Sequence, residues 1–247
     1  MMQDIFTLIQ KEWKEMVFHR GGGRQGWVSI LILIGLLGIY FPFSNGANWL
    51  NDPTALITWA WMPIFMTNGM VADAFAGERE RHTLETLLAT RLSDTAILLG
   101  KVAASVLYAW SISLACALAG AITVNIAFPN GTFQFYDPAM FFGGLAAVLL
   151  ISIFMSGIGV FVSLKASTVR QAYQKLSLSI TALFFIPFIL IQAFPDKVVS
   201  FFNVVGPFLD QNITLLVLSL FGLLVVADII ILLLAKKRFQ RTRLILE

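Results

Sequence analysis

Six long apolar segments, at residues 27–43, 56–76, 96–128, 139–164, 176–194 and 213–235, constrain this chain more than any other feature. A helix of about 20 apolar residues crosses the roughly 30 Å hydrocarbon core of a bilayer, where every backbone amide must find its partner internally. The sequence therefore predicts an all-α integral membrane protein with six transmembrane helices. Composition agrees, since 58% hydrophobic residues and a mean hydropathy of +0.82 exceed the roughly 45 to 50% apolar content usual in soluble domains. The first segment is slightly short for a span. The third, at thirty-three residues, is longer than a bilayer requires and should tilt, break or project from the membrane. No internal repeat and no separate soluble domain is visible, so residues 1–247 read as a single transmembrane domain.

The basic residues orient these spans. Of 17 Lys and Arg, four precede the first span, four lie between Asp73 and Lys101, three lie at residues 165–175 and five end the chain; the other connections hold only Lys197. This alternation places both termini and the segment from Asp73 to Lys101 in the cytoplasm, as expected for a multi-pass protein of the cell (plasma) membrane, in contact with lipid. The net charge of +3 is not gathered into a basic groove with interleaved aromatics, which argues against nucleic acid as a partner. The single cysteine, Cys116, lies in an apolar segment, so neither an internal disulfide nor a cysteine metal site is available.

Two flanking segments carry further information. Along residues 4–18, Ile5, Phe6, Leu8, Ile9, Trp13, Met16 and Val17 fall on one half of a helical wheel, opposite Thr7, Gln10, Lys11, Lys14 and Glu15. Glu12 and Phe18 break the pattern. An amphipathic helix lying in the cytoplasmic interface fits, and a helix packed on a soluble partner is the alternative. Residues 195–212 are apolar enough to enter a bilayer but too short to cross it, so they read as a re-entrant or a folded external segment.

Between Asp73 and Lys101 the chain places five acids and four bases in twenty-nine residues, its densest charge. Thr83 is positioned to cap a short helix, with Glu85 in its first turn, where the helix dipole favours an anion. Leu84, Leu87 and Leu88 then share one narrow face. A helix this short needs a partner surface, because isolated helices below roughly 12 to 15 residues are marginal in water. Ser93 or Asp94 can cap the next helix.

The run Glu78-Arg79-Glu80-Arg81-His82-Thr83-Leu84-Glu85, with Leu87, Leu88 and Ile97 to Lys101, resembles the signature of ABC-2 type exporter permeases, the membrane subunits of ATP-binding cassette transporters. The resemblance implies that residues 78–92 form a coupling helix. Glu78, Arg79, Glu80, Thr83, Leu84, Glu85, Leu87 and Leu88 would then meet a separate ATPase subunit, which uses ATP and Mg while this chain binds no cofactor. It also implies pairing with a second permease copy or close relative, around a cleft lined by the second and fifth spans. Thr67, Asn68, Thr181 and Gln192 are its polar candidates on that path, and Asp228 in the sixth span joins them. The sequence departs from the family pattern at His82, where Gly usually precedes Thr, and at Arg91, where Pro is common and where its absence lets the helix run on.

No enzymatic chemistry is legible. The one Gly-Lys pair, Gly100-Lys101, is followed by Val102 and preceded at the required spacing by Thr95, so it is no phosphate-cradling loop. His19 and His82 are not at metal-ligand spacing. In the fourth span Ser152, Ser156, Gly159 and Ser163 form a small-residue stripe suited to close helix packing. Asp73 and Asp228 need partners, protons or water, because a bare carboxylate is costly in a membrane. Asp73 fits a capping role or a salt bridge at a span end. Asp228 fits a wet cavity, a proton carrier or a hydrogen bond to a neighbouring Ser or Thr. A secondary transporter or channel using Asp228, or a membrane scaffold without transport, are the competing functions.

Overall fold

The computed structural model describes residues 2–15 and 24–239, and the regular elements among them are all helical. Six helices are long and apolar enough to cross a membrane. Helix α1 (Met2–Glu15) precedes a compound first span: α2 (Arg24–Leu33), a π-helical stretch Ile34–Tyr40, α3 (Phe41–Asn45) and a 3-10 turn Gly46–Leu50. Residues 16–18 of the expected amphipathic helix lie outside the described residues. Then follow α4 (Thr54–Glu80), α5 (Leu84–Leu88), α6 (Asp94–Ala127), α7 (Pro138–Lys165), α8 (Val169–Ala193), α9 (Pro195–Gln211) and α10 (Ile213–Arg238).

Several helices outrun their apolar cores for local reasons. The first span continues to Leu50 rather than residue 43, because Trp49 and Leu50 are each only 1% exposed and draw the polar Ser-Asn-Gly-Ala segment into the fold. There Trp49 Nε1 donates to the Tyr136 hydroxyl at 3.2 Å, which itself donates to the Ala117 carbonyl at 3.0 Å. Helix α8 begins at Val169 rather than residue 176, since the Thr168 hydroxyl accepts from Gln171 N at 3.2 Å and caps the polar first turns. Helix α6 is unbroken: 34 residues give about 51 Å at 1.5 Å per residue, well over the roughly 30 Å hydrocarbon core. Ser93 caps it by accepting from Ala96 N at 3.2 Å. Pro63 lies inside α4 without ending it.

The core is built along α4, which packs on α7, α6 and α8. Small side chains make these approaches possible. A Cβ at Gly159 of α7 would stand 2.4 Å from Val71 Cγ1 of α4, so only glycine allows this crossing. The rest of the stripe is buried as well. Ser156 shares a hydrogen bond with Ser105 of α6 at 2.6 Å, and the Ser163 hydroxyl donates to the Ala72 carbonyl and accepts from Ala76 N, both at 3.0 Å. Helix α10 lies on the outer side of α7, most of its surface exposed.

Candidate functional site

The charged segment folds into a junction at one end of the bundle, where α4 runs out of apolar sequence and α1, α5 and α6 converge. Three consecutive side chains at the end of α4 together reach four other helices. Glu78, 4% exposed, accepts from Lys101 Nζ of α6 at 3.3 Å and from Lys11 Nζ of α1 at 3.2 Å. Arg79 donates to the Leu164 and Ala166 carbonyls at 3.0 and 2.8 Å, satisfying the end of α7, whose last carbonyls have no intrahelical partner. Glu80 Oε2 accepts from Val169 N at 2.9 Å, at the α8 N-terminus where an anion is favoured. Displacing the end of α4 must therefore pull on α1, α6, α7 and α8 together.

Lys101 is the buried centre of this network. Its side chain is 1% exposed, and Nζ donates to Glu12 Oε1 at 2.7 Å as well as to Glu78. The Phe75 ring lies 5.7 Å away. Glu12 is the residue that broke the apolar face of α1, and the break is explained: it points inward to meet Lys101. Leu8 fixes the same approach, since a Cβ at Gly100 would fall 2.6 Å from Leu8 Cδ2. Trp13 Nε1 donates to the Ala104 carbonyl at 3.2 Å, so α1 is docked along the start of α6. Lys11 feels burial, which alone would lower it, yet Glu78, Glu15 and Glu12 raise it above the ordinary lysine value. Asp73 pairs with Arg81 at 3.2 Å, as expected for a carboxyl at a span end.

The helix expected over residues 78–92 is divided. Residues 78–80 close α4, a turn follows, and α5 holds only Leu84–Leu88. The turn is a Schellman closure: Thr83 N donates to the Glu78 carbonyl at 2.9 Å and His82 N to the Arg79 carbonyl at 3.1 Å. His82 carries φ of 56°, the left-handed region that suits Gly and costs an L side chain on the order of 1 kcal/mol. Thr83 stands at the α5 N-cap without making a side-chain cap bond; its hydroxyl donates to the Glu78 carboxylate instead. Arg91 does not prolong the helix, which ends at Leu88, where Ala89 N and Thr90 N fold back onto the Glu85 and Leu87 carbonyls.

Glu85 and Thr86 are exposed, whereas Leu87 is partly buried against the core cluster of Val71, Phe75, Ile97 and Leu98. The Leu84 and Leu88 side chains lie outside what the structure describes. Between α1 and α5 runs an open groove of about 500 Å³, lined by residues that include Asp4, Thr7, Lys11, Thr83, Thr86, Leu87 and Arg91.

The path candidates separate. Asn68 Nδ2 donates to Ser177 Oγ of α8 at 3.1 Å, joining the second and fifth spans, while its Oδ1 is buried without a partner among the described residues. Thr67 is 1% exposed and bonds the Pro63 carbonyl of its own helix, so it faces the bundle interior. Thr181 and Gln192 are exposed on α8; at about 100° per residue, they lie roughly on the face of Ser177. Asp228 sits apart on α10, away from the α4–α8 contact. Its carboxylate has no hydrogen-bonding Ser or Thr among the described residues, and at 4% exposure it lines no open space.

Sequence reasoning missed Lys101, Glu12 and Lys11 as site residues. The available signals were a lysine inside an apolar run and an acid on an apolar helix face.

A family model described as ABC-2 type transporter matches residues 3–202, covering α1, the junction and the first five spans but not α10. No curated protein matches the chain.

Proposed function

The chain belongs to the ABC-2 type transporter family as a multi-pass membrane subunit, and from that premise we propose that it is an exporter permease driven by a separate ATPase subunit. The ATPase docks on the exposed side of the junction, at α5 and its groove with α1. The observation that carries this reading is the set of bonds from Glu78, Arg79 and Glu80 to α1, α6, α7 and α8. A push on α5 then reaches the ends of four helices at once, without needing any span to bend. ATP and Mg belong to the partner, whose closure on nucleotide supplies the push.

The remaining elements take compatible roles. From Phe185 to Phe194 the apolar residues of α8 are exposed on all faces, a surface suited to a second copy of this chain or a close relative. Asn68, Ser177, Thr181 and Gln192 supply the polar groups beside that surface and are proposed to line the path. The charge alternation orients the junction and both termini to the cytoplasm of a plasma-membrane protein.

Cysteine labelling tests the orientation on which the docking depends. Asn48, Asn130 and Thr90 are exposed, and Cys116 is buried and gives no background. Cysteines at Asn48 and Asn130 are expected to react with an impermeant maleimide added to intact cells, and a cysteine at Thr90 only after permeabilisation. The reverse pattern would put the junction on the wrong side for a cytoplasmic ATPase.

A further inference from the structure

We propose that Asp228 is a proton-binding site, a carboxylic acid held neutral inside the bilayer where α10 packs on α7. The site is independent of the junction and of the export reading. Asp228 lies ten residues before Arg238, the end of α10, which is about 15 Å along the helix axis and places it deep in the span. Its neighbours Val225, Val226, Ile229 and Ile230 are 41 to 56% exposed, yet Asp228 is 4% exposed, so the one ionisable side chain of this stretch is turned inward. The helices meet closely there: a Cβ at Gly157 of α7 would stand 2.4 Å from Ile231 Cγ2, one turn further along α10.

Both carboxyl oxygens are buried and neither has a hydrogen-bond partner among the described residues. An ionised carboxylate in that position has lost water and gained no donor, and the charged form is the one such surroundings disfavour. The elements packed on α10 do not offset this. Among the described side chains, helix α7 brings only Lys165, at its far end; α6 brings Asp94, Lys101, Tyr108 and Cys116; α9 brings Asp196 and Lys197. Lys101 is committed to Glu12 and Glu78, and the bases of α10 itself, Lys236, Lys237 and Arg238, are two turns or more away.

The enclosure also selects the occupant. A metal cation needs several oxygen donors around it, and no cluster of three His, Cys, Asp or Glu exists among the described residues. A proton needs only the carboxyl. It binds one oxygen as O–H and removes the charge.

Infrared spectroscopy of the full chain in phospholipid vesicles decides the matter. At neutral pH the wild type is expected to show a protonated carboxylic acid carbonyl band, sensitive to deuterium exchange, that is lost in Asp228→Asn. Loss of carboxylate bands instead, with no acid band in the wild type, would overturn the proposal. Carboxyl-13C aspartate labelling adds a second reading: an isotope-shifted acid band at neutral pH that disappears in Asp228→Asn supports the site, and its absence from the labelled wild type refutes it.

Discussion

Lys101→Met is expected to destabilise the assembled chain by about 3–5 kcal/mol, the usual cost of removing one partner from a buried ion pair. The reason is geometric: Lys101 is 1% exposed and is the base that Glu12, 4% exposed, meets at 2.7 Å. Methionine preserves most of the volume and leaves two buried acids facing each other. Glu78 keeps Lys11 and Thr83, while Glu12 loses the base it meets at 2.7 Å. The double variant Glu12→Gln, Lys101→Met should consequently be more stable than Lys101→Met alone, even though it carries more substitutions. Thermal unfolding of the reconstituted protein checks both. A single variant within about 1 kcal/mol of wild type, the range of an exposed ion pair, would mean that water reaches the cluster.

Leu87→Glu should act on the junction without disturbing insertion of the spans. Leu87 packs beside Ile97 and Leu98 and also lines the groove with Asp4 and Glu78. The substitution removes partial apolar burial, where full burial of a leucine is worth about 1.5–3 kcal/mol, and adds a third acid to that groove. Helix α5 should loosen, and the affinity for the ATPase should fall at least tenfold, equivalent to about 1.4 kcal/mol. Leu87→Met should remain close to wild type. Normal ATPase binding and normal transport in Leu87→Glu would remove α5 from the docking surface.

The sequence made the spans legible because bilayer thickness translates directly into apolar length. Their ends were less legible, since Trp49 and Thr168 recruit polar neighbours into helices by packing and capping, and neither effect has a hydropathy signature. At the junction, the charge density marked the right segment but not its internal logic. Thr83 looked like a helix cap and serves Glu78 instead. Arg79 and Glu80 find partners 85 to 89 residues away, which no local spacing encodes. His82 was visible as a departure from glycine, and its φ of 56° supplies the conformational reason that glycine suits that position. Asp228 stood out as a lone acid in an apolar run, while its lack of a donor among the described residues became visible only with the packing of α10 on α7.

The most direct measurement of the central claim is site-specific photo-crosslinking in intact membranes, followed by mass spectrometry of the captured protein. A photoreactive residue at Thr86, exposed on α5, is paired with one at Asn130, exposed at the opposite end of the bundle. The account predicts that Thr86 captures an ATPase carrying a phosphate-binding loop and that Asn130 does not. Capture of such an ATPase from Asn130 but not from Thr86, or from neither, would contradict the account.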